Sequence, residues 1–443
     1  MLKRIIGTGC ALALYLAAPL LGELGVSGSV ALAQEESEAE QVETRRVPSM
    51  SEATFKKLSE AQEAIDAKDL ATAKQVLTGM LDRRDRMNGN EIGQVYNMLG
   101  FLYFSEENYG AAIDAYRNVI AQGEDIPAGL EVTTLYTLAQ LSFVNEQYQQ
   151  ALDYMETWIT KANNPGADPY IFMCQVYYQM DDYPSATRQC ERGISVAQER
   201  GVETKEQWWA LLNFLYYEQE NWPKVLETLE VLVKRFPKAD YWRRLAGIHG
   251  QIGNDQESLW SYEAADVGGF LERQSDFTNY AGLLMQQEVP FRAARVLERG
   301  LEKEVVERTD RNLQSLGQAW QLAQEVDKAI PVFLEAAKLS DEGKIYERLA
   351  SLYLDDDQFQ NCVEAANGAL QKGGLRAPQN MYVIRGMCQY NMDDMTAARE
   401  SFVECRTVSR REDDDPNRRI CQQWITHIDR EVERDEQLRR ASI

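Results

Sequence analysis

A pair of short amphipathic helices, joined by a tight turn and repeated along the chain, is the feature that most constrains the fold. The pattern is clearest over residues 97–119 (NMLGFLYFSEENYGAAIDAYRNV). There, apolar and small residues recur at three- and four-residue steps, stop at residues 105–108 and then resume. Gly100 and Ala112 are small where two helix axes would approach closely. One such hairpin cannot bury its own apolar faces, so the pattern predicts copies on either side.

The copies follow at intervals of about 33 to 39 residues, close to the roughly 34-residue period of helix–turn–helix repeats. Each copy has small and apolar residues on a first helix and an aromatic, an alanine and further apolar residues on a second helix. Marker residues of the ten copies, in chain order, are Ala61, Leu99, Leu138, Met173, Trp209, Trp242, Tyr280, Leu316, Leu349 and Gly386. The shared phase predicts one continuous array of helical hairpins.

The order Leu-Gly, Tyr, Ala, an aromatic residue and a closing Pro resembles the tetratricopeptide repeat. The stretches NYGAAIDAY, DDYPSAT, NWPKVLETLEVLVKRFPK and DDMTAARESF carry this resemblance, which covers about residues 51–410. Some copies depart from it, since Val225 and Ser258 replace the expected alanine and Arg385 replaces the expected leucine. The resemblance implies an all-α superhelical solenoid of about ten repeats over residues 51–412. Because this fold serves many partners, it does not by itself identify a function.

The first 33 residues are predicted to be an export signal. Lys3 and Arg4 form its positive start, and residues 10–21 form an apolar run that is shorter than the roughly 20 residues of a membrane span. A small-residue cleavage site ends at Ala33. We therefore expect a mature protein that is soluble in a bacterial periplasm, with an uncleaved N-terminal anchor as the alternative.

Both ends of the array have their own character. Residues 34–50 are acidic and poor in large apolar side chains, and they are predicted to form a flexible leader. Ser51 is the expected cap of the first helix, with Thr54 as its competitor. Residues 413–443, with Pro416 at a first helical turn, are predicted to form a capping helix whose charged end frays.

Charge and residue inventory narrow the possible functions. The formal net charge of -23 disfavours nucleic acid and anionic lipid surfaces as partners and suits a partner with basic patches. Only two histidines occur. His249 takes a position that other copies fill with tyrosine, and His427 lies on the terminal helix. No phosphate-binding loop, catalytic serine motif or metal motif is found, so we expect no enzyme activity, no cofactor and no metal.

Six cysteines remain after removal of the signal, an even number that favours disulfides in an oxidising compartment. The absence of a C-x-x-C motif disfavours zinc. Six cysteines allow fifteen pairings, and buried free thiols are the alternative. In the repeat frame, the favoured pairs are Cys174–Cys190, Cys362–Cys388 and Cys405–Cys421.

In tetratricopeptide arrays the first helices line a concave groove, and the resemblance projects that groove onto this chain. Its predicted partner-binding residues are Gln94, Asn97, Phe101, Phe104, Tyr136, Gln140, Phe143, Ile171, Gln175, Tyr178, Gln179, Phe214 and Tyr217. Aromatic rings and amides together suit an extended peptide. The alternative is that several rings only pack between neighbouring hairpins. The Lys and Asn clamp that some family members use for acidic peptide tails is absent, which disfavours such ligands.

The sequence thus predicts an exported, non-enzymatic protein-interaction scaffold that binds a peptide or protein on its concave face. Long exported arrays of this kind resemble the periplasmic tetratricopeptide proteins that accompany TonB–ExbB–ExbD energy-transducing systems. The alternatives are a scaffold for outer-membrane assembly or peptidoglycan coordination, and a regulatory subunit of an envelope enzyme.

Overall fold

A computed structural model describes residues 45–409 and 416–441 of the chain. The predicted export signal over residues 1–33 and residues 34–44 of the predicted leader lie outside the described residues. Within the described ranges the secondary structure consists of α-helices and two short 3-10 turns, without a strand. The predicted fold class, an all-α solenoid of tetratricopeptide type, is confirmed.

The chain divides into two units, Met1–Glu220 and Asn221–Ile443. The described part of unit 1 contains α1 (Glu52–Asp66), α2 (Leu70–Leu81), α3 (Gly89–Ser105), α4 (Tyr109–Ile120), α5 (Ala128–Val144), α6 (Tyr148–Lys161), α7 (Asp168–Gln179), α8 (Tyr183–Glu199) and α9 (Glu206–Glu218).

The described part of unit 2 contains α10 (Trp222–Arg235), α11 (Ala239–Gln251), α12 (Asp255–Val267), α13 (Gln274–Gln286), α14 (Pro290–Glu302), α15 (Asp310–Leu322), α16 (Val326–Leu339), α17 (Lys344–Asp355), α18 (Phe359–Lys372), α19 (Pro378–Asn391), α20 (Met395–Val408) and α21 (Pro416–Ala441). Within each unit, a first helix packs against the second helix that follows it, as α3 does on α4, α7 on α8 and α19 on α20. The two helices of the fifth predicted repeat, α9 and α10, fall in different units.

The turns inside the hairpins are built alike. One residue takes a left-handed backbone conformation, as Glu107 (φ 57), Glu146 (φ 58) and Asp181 (φ 58) do. The next residue is the N-cap of the second helix. The side chain of Asn108 accepts a hydrogen bond from the backbone N–H of Ala111 at 3.2 Å, which satisfies one of the donors that a helix start leaves unpaired. The turn therefore ends one helix and caps the next within three residues.

A small residue at the centre of a first helix can admit a large side chain from the second helix. A Cβ atom at Gly100 would lie 2.7 Å from the ring of Tyr116, which is why this position excludes larger residues. The close approach predicted at Gly100 is confirmed, and the group that approaches is this ring. Gly386 receives the ring of Phe402 in the same way in unit 2. We call this the small slot.

The structure pairs the six cysteines in the three favoured combinations. Their Cα–Cα distances are 5.2 Å for Cys174–Cys190, 6.3 Å for Cys362–Cys388 and 6.1 Å for Cys405–Cys421. All six are fully buried. Cys174 takes the small slot of α7, so this pair occupies the place that Gly100 and Tyr116 fill two hairpins earlier. Oxidation of the three pairs in the cell stays a prediction.

Residues 45–51, which we call the strap, lie against the beginnings of α3 and α5. The side-chain amide of Asn88 donates to the carbonyl of Ser49 at 2.9 Å. The amide of Asn90, which is 8% exposed, donates to the carbonyl of Pro48 at 3.0 Å. Two asparagines thus hold the main chain of the strap.

Two buried carboxylates fix the ends of the strap. Glu91 accepts hydrogen bonds from the backbone N–H and the hydroxyl of Ser51, at 2.8 and 2.7 Å. Burial opposes its ionisation, but the hydrogen bonds outweigh burial and lower its pKa to about 2. Glu131 pairs with Arg45 at 2.7 Å and with Lys161 at 2.8 Å. The end of the predicted leader is therefore tied to the second and third hairpins.

The predicted ends of the array can be compared with the helices. Ser51 caps α1 by accepting a hydrogen bond from the backbone N–H of Thr54 at 3.3 Å, which confirms that prediction. The terminal helix α21 begins at Pro416 and continues to Ala441. Residues 431–440, where the sequence predicts fraying, are helical in the structure.

Candidate partner-binding surface

The predicted partner-binding residues occupy one face of each first helix in unit 1. Asn97, Phe101 and Phe104 follow one another at steps of four and three residues on α3, which places them on the same side of the helix. Tyr136, Gln140 and Phe143 repeat this spacing on α5. Twelve of the thirteen predicted residues are exposed or half-buried. We call these twelve the first-helix surface, and they are Gln94, Asn97, Phe101, Phe104, Tyr136, Gln140, Phe143, Gln175, Tyr178, Gln179, Phe214 and Tyr217.

Ile171 is the exception, and its assignment to the surface is wrong. Its side chain is 5% exposed. A Cβ atom at Gly193 of α8 would lie 2.7 Å from the Ile171 Cδ1 atom, so the isoleucine fills the space above that glycine. Ile171 is part of the packing between α7 and α8.

Aromatic rings at the ends of the first helices connect successive hairpins. Phe143 of α5 lies 5.8 Å from Tyr148 of α6 and 5.7 Å from Phe172 of α7, measured between ring centroids. Tyr178 of α7 lies 5.6 Å from Phe214 of α9. Neighbouring first helices therefore touch through their rings, as the alternative interpretation of the sequence held.

The same rings still reach the solvent. Phe101 is 39% exposed and Tyr217 is 41% exposed, while Phe104, Phe143 and Tyr178 are half-buried. Large apolar side chains with this exposure are common at contact sites because they carry much apolar area at little entropic cost. Packing between hairpins and display to a partner are thus combined in one set of side chains.

Charged groups are missing from the middle of these four helices. The charged residues of α3, α5, α7 and α9 lie only in the first turn or at the last position, and they are Glu91, Glu131, Asp168, Glu206 and Glu218. Glu91 and Glu131 are buried and occupied by the strap contacts described above. The first-helix surface is therefore neutral on a chain whose formal net charge is -23.

Three rings that belong beside this surface were not among the predicted site residues. Tyr109, Tyr148 and Tyr183 are the first residues of α4, α6 and α8, and each contacts a ring of the first-helix surface. Burial raises the pKa of Tyr148 and of Tyr183. The sequence signal was present, because each tyrosine directly follows the capping residue of its turn.

The two histidines belong to helices of unit 2, α11 and α21. His249 of α11 is half-buried, its Nδ1 atom has no hydrogen-bond partner among the described residues, and burial lowers its pKa. His427 of α21 lies 3.1 Å from the hydroxyl of Tyr390. Over residues 45–409 and 416–441, no group of three or more His, Cys, Asp or Glu side chains could hold a metal ion. In the same ranges, none of the helices is long and apolar enough to cross a membrane.

A family model of the tetratricopeptide repeat matches residues 93–121. The match covers most of α3 and all of α4, the hairpin that contains Gly100 and Tyr116. It supports the tetratricopeptide repeat family. A search of curated proteins finds no match.

Several solved structures are similar to this chain at low sequence identity. The structure of Naa15/Naa10 bound to HypK-THB is 13% identical, with 81% of this chain and 64% of that chain covered and a TM-score of 0.42. The TPR2AB-domain:pHSP90 complex of yeast Sti1 is 11% identical (59% and 99% covered, TM-score 0.34). YrrB, described as a TPR protein with an unusual peptide-binding site, is 13% identical (43% and 91% covered, TM-score 0.32). Similarity at this level carries no argument about function.

Proposed function

We propose that this chain is a non-enzymatic scaffold that binds a peptide or protein partner on the first-helix surface of unit 1. The observation that carries the proposal is the row of rings and amides that recurs on α3, α5, α7 and α9 and is free of charge between the helix ends. Rings can cover apolar side chains of a partner, and amides can bond its backbone. The repeated spacing suits a ligand that extends along several hairpins.

The proposal includes export to the periplasm with cleavage after Ala33. Three buried cysteine pairs support it, because disulfides persist in oxidising compartments. N-terminal sequencing of the mature protein is expected to begin at Gln34. Labelling of the unfolded, unreduced protein with a thiol reagent is expected to modify none of the six cysteines that remain. Six reactive thiols would contradict the proposed compartment.

Within the envelope, we propose a partner among the TonB–ExbB–ExbD components. Export, array length and the lack of a catalytic motif support this assignment. A scaffold for outer-membrane assembly or peptidoglycan coordination, or a regulatory subunit of an envelope enzyme, would have the same properties. The partner that is captured decides between them.

Site-specific photocrosslinking in intact cells tests the proposed surface. A photoreactive phenylalanine analogue at Phe101 or at Tyr217 is expected to give the same adduct, which antibodies against TonB, ExbB and ExbD would identify. The matched control is Phe55 of α1, an exposed ring (64%) outside the surface. Equal adducts from Phe55, or none from Phe101 and Tyr217, would overturn the proposed surface. An adduct with another protein would overturn only the TonB assignment.

A further inference from the structure

We infer that the first-helix surface takes an uncharged, proline-rich segment in the polyproline II conformation. This inference rests on the proposed function and names the chemistry of the partner. Its basis is the match between three features of the surface, namely its row of rings, its hydrogen-bonding groups and its lack of charge, and the properties of that conformation.

The row of rings is the first feature. Phe143 contacts Phe172 of the next first helix, and Tyr178 contacts Phe214 of the one after, at 5.7 and 5.6 Å. The rings therefore continue from one first helix to the next over α5, α7 and α9. Segments in the polyproline II conformation are extended and dock in aromatic-lined grooves, so one such ligand can meet rings of several hairpins.

The hydrogen-bonding groups are the second feature. A polyproline II segment makes no internal hydrogen bonds, and proline has a carbonyl acceptor but no N–H donor. Such a ligand needs donors from its receptor. Gln94, Asn97, Gln140, Gln175 and Gln179 supply side-chain NH2 groups on the same helix faces as the rings.

The lack of charge is the third feature. A charged side chain of a ligand loses hydration when it is buried in an interface. This desolvation costs free energy unless the receptor supplies an opposite charge. The middle of α3, α5, α7 and α9 offers none to a ligand. An uncharged ligand segment can bind to this surface without the free-energy cost of burying an unpaired charge.

The arrangement of the rings favours a peptide over a neutral sugar chain. Tyr178 stacks on Tyr183 with an interplanar angle of 23°, and Phe214 meets it edge-on at 83°. Tyr136 packs against Trp158 at 5.3 Å. Rings covered in this way suit a compact pyrrolidine that inserts beside them better than a sugar ring that must lie flat on an open face.

Binding of an end-blocked polyproline peptide of about ten residues to the full chain, measured by isothermal titration calorimetry, tests the inference. We expect the dissociation constant to change by less than about twofold between about 50 and 500 mM NaCl, because no ion pair forms. Tyr178→Ala is expected to weaken binding about tenfold, as the loss of a central ring does. The matched control is Leu354→Ala, at the equivalent position of α17 in unit 2, where no change is expected.

A second variant avoids dependence on a ring that also packs between hairpins. Gln140→Glu keeps the size of a half-buried side chain and removes its NH2 donor, so we expect binding to weaken about threefold with an unchanged far-UV circular dichroism spectrum. If Tyr178→Ala fails to fold, this variant decides.

Three results would overturn the inference. They are no binding of polyproline, tighter binding of an alternating Glu-Pro or Lys-Pro peptide at low salt, and Tyr178-dependent binding of maltohexaose. The photocrosslinking experiment separates this inference from the proposed function. A Phe101 and Tyr217 adduct without polyproline binding would leave the surface in place and reject only its proline-rich ligand.

Discussion

The two units use the same repeat frame but connect their first helices differently. In unit 1, successive first helices touch through rings, as Tyr178 and Phe214 do. In unit 2, charged side chains make the equivalent connection. Arg243 of α11 binds the buried carboxylate of Asp276 on α13 at 2.8 Å, and Arg348 of α17 donates to Gln321 of α15 at 2.7 Å.

The position four residues after the small slot shows the contrast most clearly. The first helices α3, α5, α7 and α9 of unit 1 have rings there, and the residues are Phe104, Phe143, Tyr178 and Tyr217. Unit 2 has Gly250, Met285, Gln321, Leu354 and Tyr390. The residue directly after the small slot differs as well, since Phe101 and Phe214 of unit 1 correspond to Gly247 and Gly282 of unit 2.

This difference teaches that a repeat frame fixes the interior and leaves the first-helix face open to specialisation. Gly100 with Tyr116 in unit 1 and Gly386 with Phe402 in unit 2 make the same buried contact. In unit 2, side chains on the first helices form ion pairs and hydrogen bonds with neighbouring helices of the same unit. In unit 1, the corresponding face of the first helices is uncharged. Four predictions test this contrast.

Loss of the ion pair between Arg243 and Asp276 should give the largest decrease in stability. Arg243→Ala leaves the carboxylate of Asp276, which is 2% exposed, with backbone donors only. We expect a loss of about 3 kcal/mol in the free energy of unfolding, measured by urea denaturation. Arg311→Ala, an exposed residue on the first helix α15, is the control and should cost no more than about 0.5 kcal/mol. Equal losses of stability in the two variants would mean that the Arg243–Asp276 ion pair does not stabilise unit 2.

Removal of the cysteine pair inside unit 1 should cost a similar amount. The pair Cys174–Cys190 closes a loop with a sequence separation of 16, for which loop entropy predicts about 3 kcal/mol. The double variant Cys174→Ala, Cys190→Ala is expected to show this loss in urea denaturation. The variant Cys174→Gly, Cys190→Tyr copies the Gly100 and Tyr116 contact and should recover part of it. If the second variant recovers none of the lost free energy of unfolding, the positions of Cys174 and Gly100 are not equivalent.

The strap should make unit 1 sensitive to acid. The folded-state pKa of Glu91 is lowered to about 2 from an ordinary value of 4.5. Its contribution is therefore complete above about pH 4.5 and is lost as pH falls from there towards 2. We expect Glu91→Gln to cost about 2 kcal/mol near neutral pH and to flatten the decline in stability below pH 4.5. An unchanged acid profile would contradict this role.

Glycines on the unit 2 face should yield the smallest effect, with the opposite sign. A Cβ atom at Gly247 or Gly282 would meet nothing within 4 Å. Replacement by alanine is expected to stabilise each helix by about 0.5–1 kcal/mol, measured by urea denaturation. Gly317→Ala is the control, since its Cβ would lie 2.9 Å from the ring of Phe333 and should destabilise. Destabilisation at Gly247 would mean that its surroundings are tighter than described.

Period and spacing explain how much could be predicted from the sequence. Helices, small slots and cysteine positions follow from the repeat frame, because a fixed spacing of residues on two packed helices fixes which ones face each other. Ile171 was misassigned because its burial depends on Gly193, a residue outside its own helix. Periodicity of one helix alone cannot report such a contact.

The strap was beyond prediction for a different reason. Residues 45–50 have no apolar period, and their contacts are polar groups that meet only after hairpins two and three have formed. The sequence shows which residues depart from the repeat pattern, but it does not show the contacts that these residues make instead. Ser258 bonds the carbonyl of Ala246 at 2.9 Å, and Arg385 reaches Glu404 at 2.6 Å.

The left-handed turn residues of unit 1 have a kinetic consequence for recognition. Glu107, Glu146 and Asp181 are exposed, so each turn carries negative charge beyond the end of a neutral helix face. Charges outside a contact attract a partner during diffusion but add little once it is bound. A ligand with basic residues flanking its bound segment would then arrive more slowly as salt increases, while its residence time stays constant.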